Sequence, residues 1–337
     1  MNSATTQGTE VVAARARERG RRPAETLIRH SRLVILLLMC VVLSLISRAF
    51  LTWDNLLNVL RQATPIFVLG AGQTLVILSR GIDVSMGSCG ALAGVVAALL
   101  MSTQVPVLVA VLVGLAIGAA FGLMNGLIVT RVGLPPFITT FGTYLLGKGL
   151  VVLYIDGKVI WGFPDSFRLL GAARVGGIPF IIFIGAAIFA LFAWLLKYTN
   201  FGSAIYSVGA NPTASAVSGI KTRRVITLTF VISGLMAAFA CLLFVSRLNS
   251  AKSDIGEGFE LDAIAATLIG GTSFAGGTGT ISGTVVGALI IILLRNMMNL
   301  LGISPLWQGF ATGLVMVLLI LADEMFKRFL GRQRAAA

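Results

Sequence analysis

Charge is what this sequence has least of. Only 12% of its 337 residues are charged, about half the roughly 25% usual in a soluble domain. Acids are the scarcer sign, with 13 Asp and Glu against 26 Lys and Arg. Histidine occurs once, at His30, and cysteine three times, at Cys40, Cys89 and Cys241. Each shortage excludes something. So few polar side chains cannot cover a water-soluble globule of this size. A lone histidine in a basic N-terminal stretch leaves no HExxH pair and no base to set beside a nucleophile. Three cysteines scattered through apolar runs, none in a CxxC pair, form neither a disulfide framework nor a zinc site; they read as small apolar core residues.

What is present is apolar side chain, 57% of the chain, laid out in long runs without charge. A helix crosses a bilayer with about 20 apolar residues. The gaps between charges give ten candidate spans: 33–51, 62–80, 85–102, 106–130, 136–154, 179–197, 225–246, 261–276, 281–299 and 306–325. The reading is an all-α polytopic membrane protein of about ten helices, some short or broken. With the N-terminus in the cytoplasm, 17 Lys and Arg fall inside and 7 outside. That asymmetry predicts that both termini are cytoplasmic. The organisation expected is a flexible basic tail over 1–32, a transmembrane domain over 33–326 with a cytoplasmic loop over 198–224, and a second tail over 327–337. The first apolar run lacks a small-x-small cleavage site and reads as an uncleaved span. The net charge of +13 thus belongs to orientation in the bilayer, not to nucleic-acid binding.

Glycines recur at intervals of four, at Gly114, Gly118, Gly122 and Gly126, and again at Gly279, Gly283 and Gly287. Such rows let apolar helices approach closely where lipid is as apolar as they are. The stretch Gly142 to Gly149 nearly matches a phosphate-binding loop, but Gly149 stands where the magnesium-binding hydroxyl is needed. Mid-span acids and histidines, the usual equipment of an ion-coupled carrier, are absent; Asp83 lies near the end of a span. The chain therefore reads as a transport subunit driven by something else.

Polar residues interrupt the apolar pattern at Gly81-Ile82-Asp83-Val84-Ser85-Met86-Gly87-Ser88. Breaks of this kind occur where they face protein or a water-lined cavity. Asp83 and Ser85 are expected to cap the third span, and Arg80 is placed to pair with Asp83. Asp83, Ser85, Asn125, Asn296 and Asn299 are candidates for a pathway or gate. Within the cytoplasmic loop, Asn211 is a good N-cap, Pro212 a good first helical residue and Gly219 a good stop. A helix of about two turns is expected there, presenting Ala214, Ala216 and Ser218.

These pieces resemble, in order, the permease subunits of bacterial ABC importers for monosaccharides of the ribose, xylose and arabinose type. The likeness is carried by Thr74–Leu78 with Gly81–Ser88, by Gly202–Ile220, by the long block Leu261–Thr284 and by Asn299–Gly302. It covers about residues 33–326. Departures are mild: Val84, Met86 and Thr213 replace residues more usual in the family. The resemblance implies a second permease copy, identical or related, and a periplasmic sugar-binding protein. It also implies an ATP-binding subunit docked on a coupling helix formed by Asn211, Pro212, Ala214, Ala216, Ser218 and Gly219. No cofactor is implied for this chain, since ATP and magnesium belong to the partner, and the place is the bacterial inner membrane. Branched-chain amino acid or nucleoside permeases of related architecture are the alternatives in the same class. An ion-coupled carrier working alone is the alternative outside it.

Overall fold

The computed structural model describes residues 32–304 and, beyond them, 306, 307, 309–311, 313, 314, 317, 318 and 321. The expected tails over 1–32 and 327–337 lie outside the described residues, apart from Arg32, and the tenth span is described only in part. Among the described residues, twelve α-helices precede residue 305: α1 (Arg32–Ile46), α2 (Trp53–Leu78), α3 (Met86–Ser102), α4 (Val107–Leu127), α5 (Pro136–Ile155), α6 (Asp165–Ala172), α7 (Phe180–Tyr198), α8 (Asn200–Ala210), α9 (Pro212–Val217), α10 (Thr222–Leu248), α11 (Phe259–Ile269) and α12 (Ile281–Leu300). Among the described residues, five helices are long and apolar enough to cross a membrane: Val107–Val132, Pro136–Ile155, Phe180–Tyr198, Thr222–Leu248 and Ile281–Leu300.

Proline marks where many of these helices begin. Pro106, Pro135, Pro164 and Pro179 precede α4, α5, α6 and α7, and Pro136 and Pro212 open α5 and α9. A helix start has no use for the missing N–H, and the ring presets φ. α4 runs on through a π turn, Ile128–Val132, and stops at Gly133 in the left-handed region.

α10 is the hub and packs against α4, α2 and α3. The contact with α4 runs along the predicted glycine row. Gly118 lies on the backbone of Gly234, Gly122 on that of Phe230 and Gly126 on that of Thr227. A β-carbon at Gly118 or Gly122 would overlap a carbonyl oxygen of α10. The second row needs correcting. Gly283 and Gly287 lie in α12 against the backbone of Gly270 and Ala266, but Gly279 precedes the helix, in a loop beside Thr272.

Three further expectations change. α2 starts at Trp53 and not at 62, because the polar first turn is held by Asn55 bonding the Phe50 carbonyl and the Asn296 side chain. The span expected over 261–276 is the half-length helix α11. Glu260 and Asp262 lie buried in its first turn, where carboxylates favour the helix dipole. Four two-residue strands also form. β1 (Ile160–Trp161) pairs antiparallel with β4 (Ser250–Ala251), and β2 (Arg174–Val175) with β3 (Ile178–Pro179).

Candidate functional site

The break between α2 and α3 is the polar centre of the bundle. α2 ends with Gly81 N–H bonded to the Val76 carbonyl at 2.8 Å and Arg80 N–H to that of Ile77 at 3.0 Å. This pattern normally places glycine in the left-handed position. Here Arg80 occupies it, at φ 66°, a conformation that costs a side-chain-bearing residue about 1–2 kcal/mol. The guanidinium explains the choice. Arg80 Nε donates to the Gly209 carbonyl and Nη2 to that of Ala210, both at 2.7 Å. Those are the last two residues of α8. The expected Arg80–Asp83 ion pair therefore does not form; the arginine reaches across to the loop that carries α9.

Asp83 turns the other way, into the bundle, and is 1% exposed. Its Oδ1 accepts from Ser85 N–H at 3.0 Å and Ser85 Oγ at 2.6 Å, and its Oδ2 accepts from Ser233 Oγ at 2.7 Å. Ser85 precedes α3 but its hydroxyl makes no cap bond. That oxygen accepts instead from Asn125 Nδ2 at 2.8 Å, and Asn125 Oδ1 accepts from Thr143 Oγ1 at 2.8 Å. With its amide nitrogen toward the Asp83 carbonyl, Gln73 bonds the Asp83 main chain at 3.2 and 3.3 Å. Thr140 Oγ1 accepts from Val84 N–H at 3.1 Å. One chain of bonds thus ties α2, α4, α5 and α10 to the break. Fully paired, such a network specifies one packing of a core; half-paired, it is costly.

Of the remaining candidates, Asn296 is buried and exchanges amide bonds with Asn55 at 2.8 and 3.2 Å. Asn299 is exposed, and its carbonyl accepts from Gly302 N–H. The Asn55–Asn296 pair joins α2 to α12, apart from the break. Sequence reasoning missed Gln73, Thr143, Ser233 and the role of Arg80. Hydroxyls and amides within apolar runs were the available signal, but they do not say which helices meet.

The short helix at the other side of the Arg80 bond is α9. Asn211 Oδ1 accepts from Ala214 N–H at 3.0 Å, Pro212 is the first helical residue, and Gly219 at φ 84° ends the turn. Ala214, Ala216, Ser218 and Gly219 are exposed, and only Ser215 is buried. The preceding helix is seated tightly. Gly209 lies against the Leu78 carbonyl and Gly277, and Gly277 N–H donates to Leu78 O at 2.9 Å. Tyr206 Oη donates to the Gly279 carbonyl at 2.9 Å, and burial raises its phenol above the ordinary tyrosine range, so it stays a donor at neutral pH. α8 is therefore held to both the α2 end and the loop over 270–280.

Two more buried or charged contacts concern the bundle. Arg295 of α12 grips Asp262 of α11 with both nitrogens, at 2.9 and 2.6 Å. Lys148 of α5 meets Glu257 at 3.1 Å, with both side chains exposed. The described residues contain no group of three His, Cys, Asp or Glu placed to hold a metal.

Comparison with known proteins locates this arrangement. Residues 55–320 match the family described as branched-chain amino acid transport system / permease component. The ribose import permease protein of Haemophilus influenzae is 40% identical over 302 residues, 88% of this chain and 94% of that protein. The ribose import permease protein of Bacillus subtilis is 39% identical, over 86% of this chain and 90% of its own. The galactose/methyl galactoside import permease protein of H. influenzae is 33% identical, over 87% and 92%. No solved structure matches the chain.

Proposed function

The chain belongs to the branched-chain amino acid transport system / permease component family, and on that basis we propose that it is the membrane-spanning subunit of an ATP-driven importer for a monosaccharide. The observation that carries the reading is the kinship to ribose and galactose import permeases over most of the chain. It favours a sugar over the amino acid of the family's description. The chain is an integral membrane transport component. In our reading it sits in the bacterial inner membrane with about ten spans and both ends inside. It pairs with a second permease copy and receives sugar from a periplasmic binding protein. It binds no cofactor of its own, because hydrolysis of ATP with magnesium takes place on a separate ATP-binding subunit.

That subunit docks on α9. The small exposed faces of Ala214, Ala216 and Ser218 leave room for a partner's groove. Movement of α9 carries α8 with it through the Asn211 junction. α8 then pulls on Arg80 through the Gly209 and Ala210 carbonyls, and Arg80 is the end of the break that starts α3. The reading of Asp83, Ser85 and Asn125 as gate residues becomes, in this mechanism, a hinge anchor: they hold the break while Arg80 displaces its edge.

The test is sugar uptake and ATPase stimulation in proteoliposomes containing the ATP-binding subunit and binding protein. Ala216→Glu combined with Gly219→Glu is expected to abolish both, since it places two charges on the docking face. Retained uptake in that variant overturns the assignment of α9. Uptake by the purified chain without any ATPase overturns the importer reading itself.

A further inference from the structure

Apart from Asn299 the gate candidates are buried, so they leave open where a solute passes. The exposed side of α5 answers that question. Phe137, Phe141 and Tyr144 recur at helical spacing along one flank of α5. Their rings stack in a row, with centroids 6.0 and 6.3 Å apart and planes within 14°. Phe137 is 55% and Phe141 45% exposed. One turn further, Lys148 carries the row to a charged end and meets Glu257. Lys148 is the thirteenth residue of a twenty-residue helix, about 18 Å from its start and about 10 Å from its end at 1.5 Å per residue. With α5 as a membrane span, that position is well inside the bilayer, while about half of its side chain and of Glu257's remains uncovered. Ionised side chains at that depth face a bundle interior or water, not acyl chains. This flank of α5 is not a lipid surface.

Beside the ion pair is a recess of about 20 Å³ where Ser88, Tyr144, Lys148, Ser253 and Glu257 meet the apolar side chains of Ala91, Val151 and Ile255. Its size suits a single water or a single hydroxyl. On its floor is Gly87, the second residue of α3, against which the Glu260 carboxylate is packed. Glu260 is 6% exposed and its Oε2 has no hydrogen-bond partner. Two half-bundle elements, the starts of α3 and α11, thus meet under the recess. A neutral polyol has a C–H face that stacks on aromatic rings and a rim of hydroxyls that bonds amines, carboxylates and hydroxyls. The row and the recess offer both chemistries side by side.

We propose that the flank of α5 bearing Phe137, Phe141, Tyr144 and Lys148 lines the aqueous route, and that the recess at Lys148–Glu257 binds a hydroxyl of a neutral sugar in transit. The inference rests on the importer reading for the identity of the solute, but not for the route being aqueous.

The test uses the complete importer in proteoliposomes, with Cys40, Cys89 and Cys241 replaced by alanine. Single cysteines are placed at Phe141 and Tyr144, and at Leu146 and Leu153 elsewhere on the exposed side of α5. A charged, membrane-impermeant methanethiosulfonate is supplied to both faces, with and without D-ribose or D-galactose and ATP. The expected result is reaction at 141 and 144, slowed by the transported sugar, and none at 146 and 153. With the native cysteines restored, Tyr144→Ala is expected to lower uptake roughly three- to tenfold, the range of a lost aromatic contact, and Tyr144→Phe to lower it less. Four unreactive positions mean that lipid covers the flank. A disulfide between copies at 141 or 144, without labelling, means that a second copy covers it. Either overturns the route, as does labelling that sugar never slows. Failure of the unaltered importer to take up either sugar would instead count against the proposed solute, while labelling at 141 and 144 still decides the route.

Discussion

Arg80 stands where a glycine would be cheaper, and its cost is traceable to one pair of bonds. That separates stability from function at a single residue. Arg80→Gly removes the strained left-handed side chain, so thermal unfolding in detergent is expected at an unchanged or higher temperature. Uptake is expected to fall at least tenfold, because the Gly209 and Ala210 carbonyls lose their tether. Arg80→Lys keeps the charge but not two donors in a fixed fork, and should restore only part of the transport. Uptake at the unaltered rate in Arg80→Gly would remove the tether from the mechanism. At Asp83 the two effects coincide. Asp83→Ala leaves the Ser85 and Ser233 hydroxyls without their acceptor, and unsatisfied buried groups cost about 1–3 kcal/mol each. A lowered unfolding temperature is the expected outcome, measured with Asn125→Ala as a second break in the same chain of bonds. Apart from Ser85, none of these partners was legible locally. Ser233 and Gly209 are distant in sequence from Asp83 and Arg80, and a hydroxyl in an apolar run looks the same whether it faces lipid or a carboxylate.

Among elements, the contrast lies between α9 and the α4–α10 pair. α9 was readable because everything that makes it is local: an Asn side chain for the orphan N–H of Ala214, a proline at the first turn, and a glycine at the stop. The glycine row of α4 was also readable as a packing face, since its period is a property of one helix. Its partner was not, because Gly234, which meets Gly118, is the only glycine in α10 and forms no row. Gly118→Val should destabilise by about 1–3 kcal/mol, the usual cost of overpacking, or more, since the obstacle is backbone that no rotamer change can move. Chemical or thermal unfolding measures it, and Gly133→Ala, in open space but at φ 83°, serves as a contrast for conformational strain alone. The half-length helix α11 was misjudged for an understandable reason. Its apolar run continues into glycines that read as span, whereas the chain leaves the helix at Gly270 and turns at Gly271.

Across the whole molecule, the Asp262–Arg295 pair fastens α11 to α12 within the bundle. Breaking a buried pair by removing one partner costs about 3–5 kcal/mol, while replacing both with apolar residues is often close to neutral. Arg295→Met is therefore expected to unfold at markedly lower temperature than the unaltered protein, and Asp262→Leu with Arg295→Met to recover most of the loss. If the double variant is no better than the single one, the pair's contribution lies in its surroundings. The same scale settles how the parts act together. Arg80 ties one edge of the polar break to α8, and Thr140 of α5 bonds Val84 within it, so the break joins the tether to α5.

The sequence by itself determined the class of the molecule. Long charge-free runs leave a bilayer as the only compatible solvent, prolines and an Asn-Pro start set where helices begin, and the shortage of acids and histidines sends the energy source to a partner. Those are properties of composition and of neighbours within a few residues. Only the tertiary structure decided what the few polar groups do. It turned Arg80 away from Asp83, drew Gln73, Asn125, Thr143 and Ser233 into one network, buried Glu260 and Asp262, and left Lys148 half uncovered beside Glu257. The physical reason is that a polar group in an apolar medium is defined by its partner, and apart from the local Asp83–Ser85 bonds the partners named here are brought in from another helix.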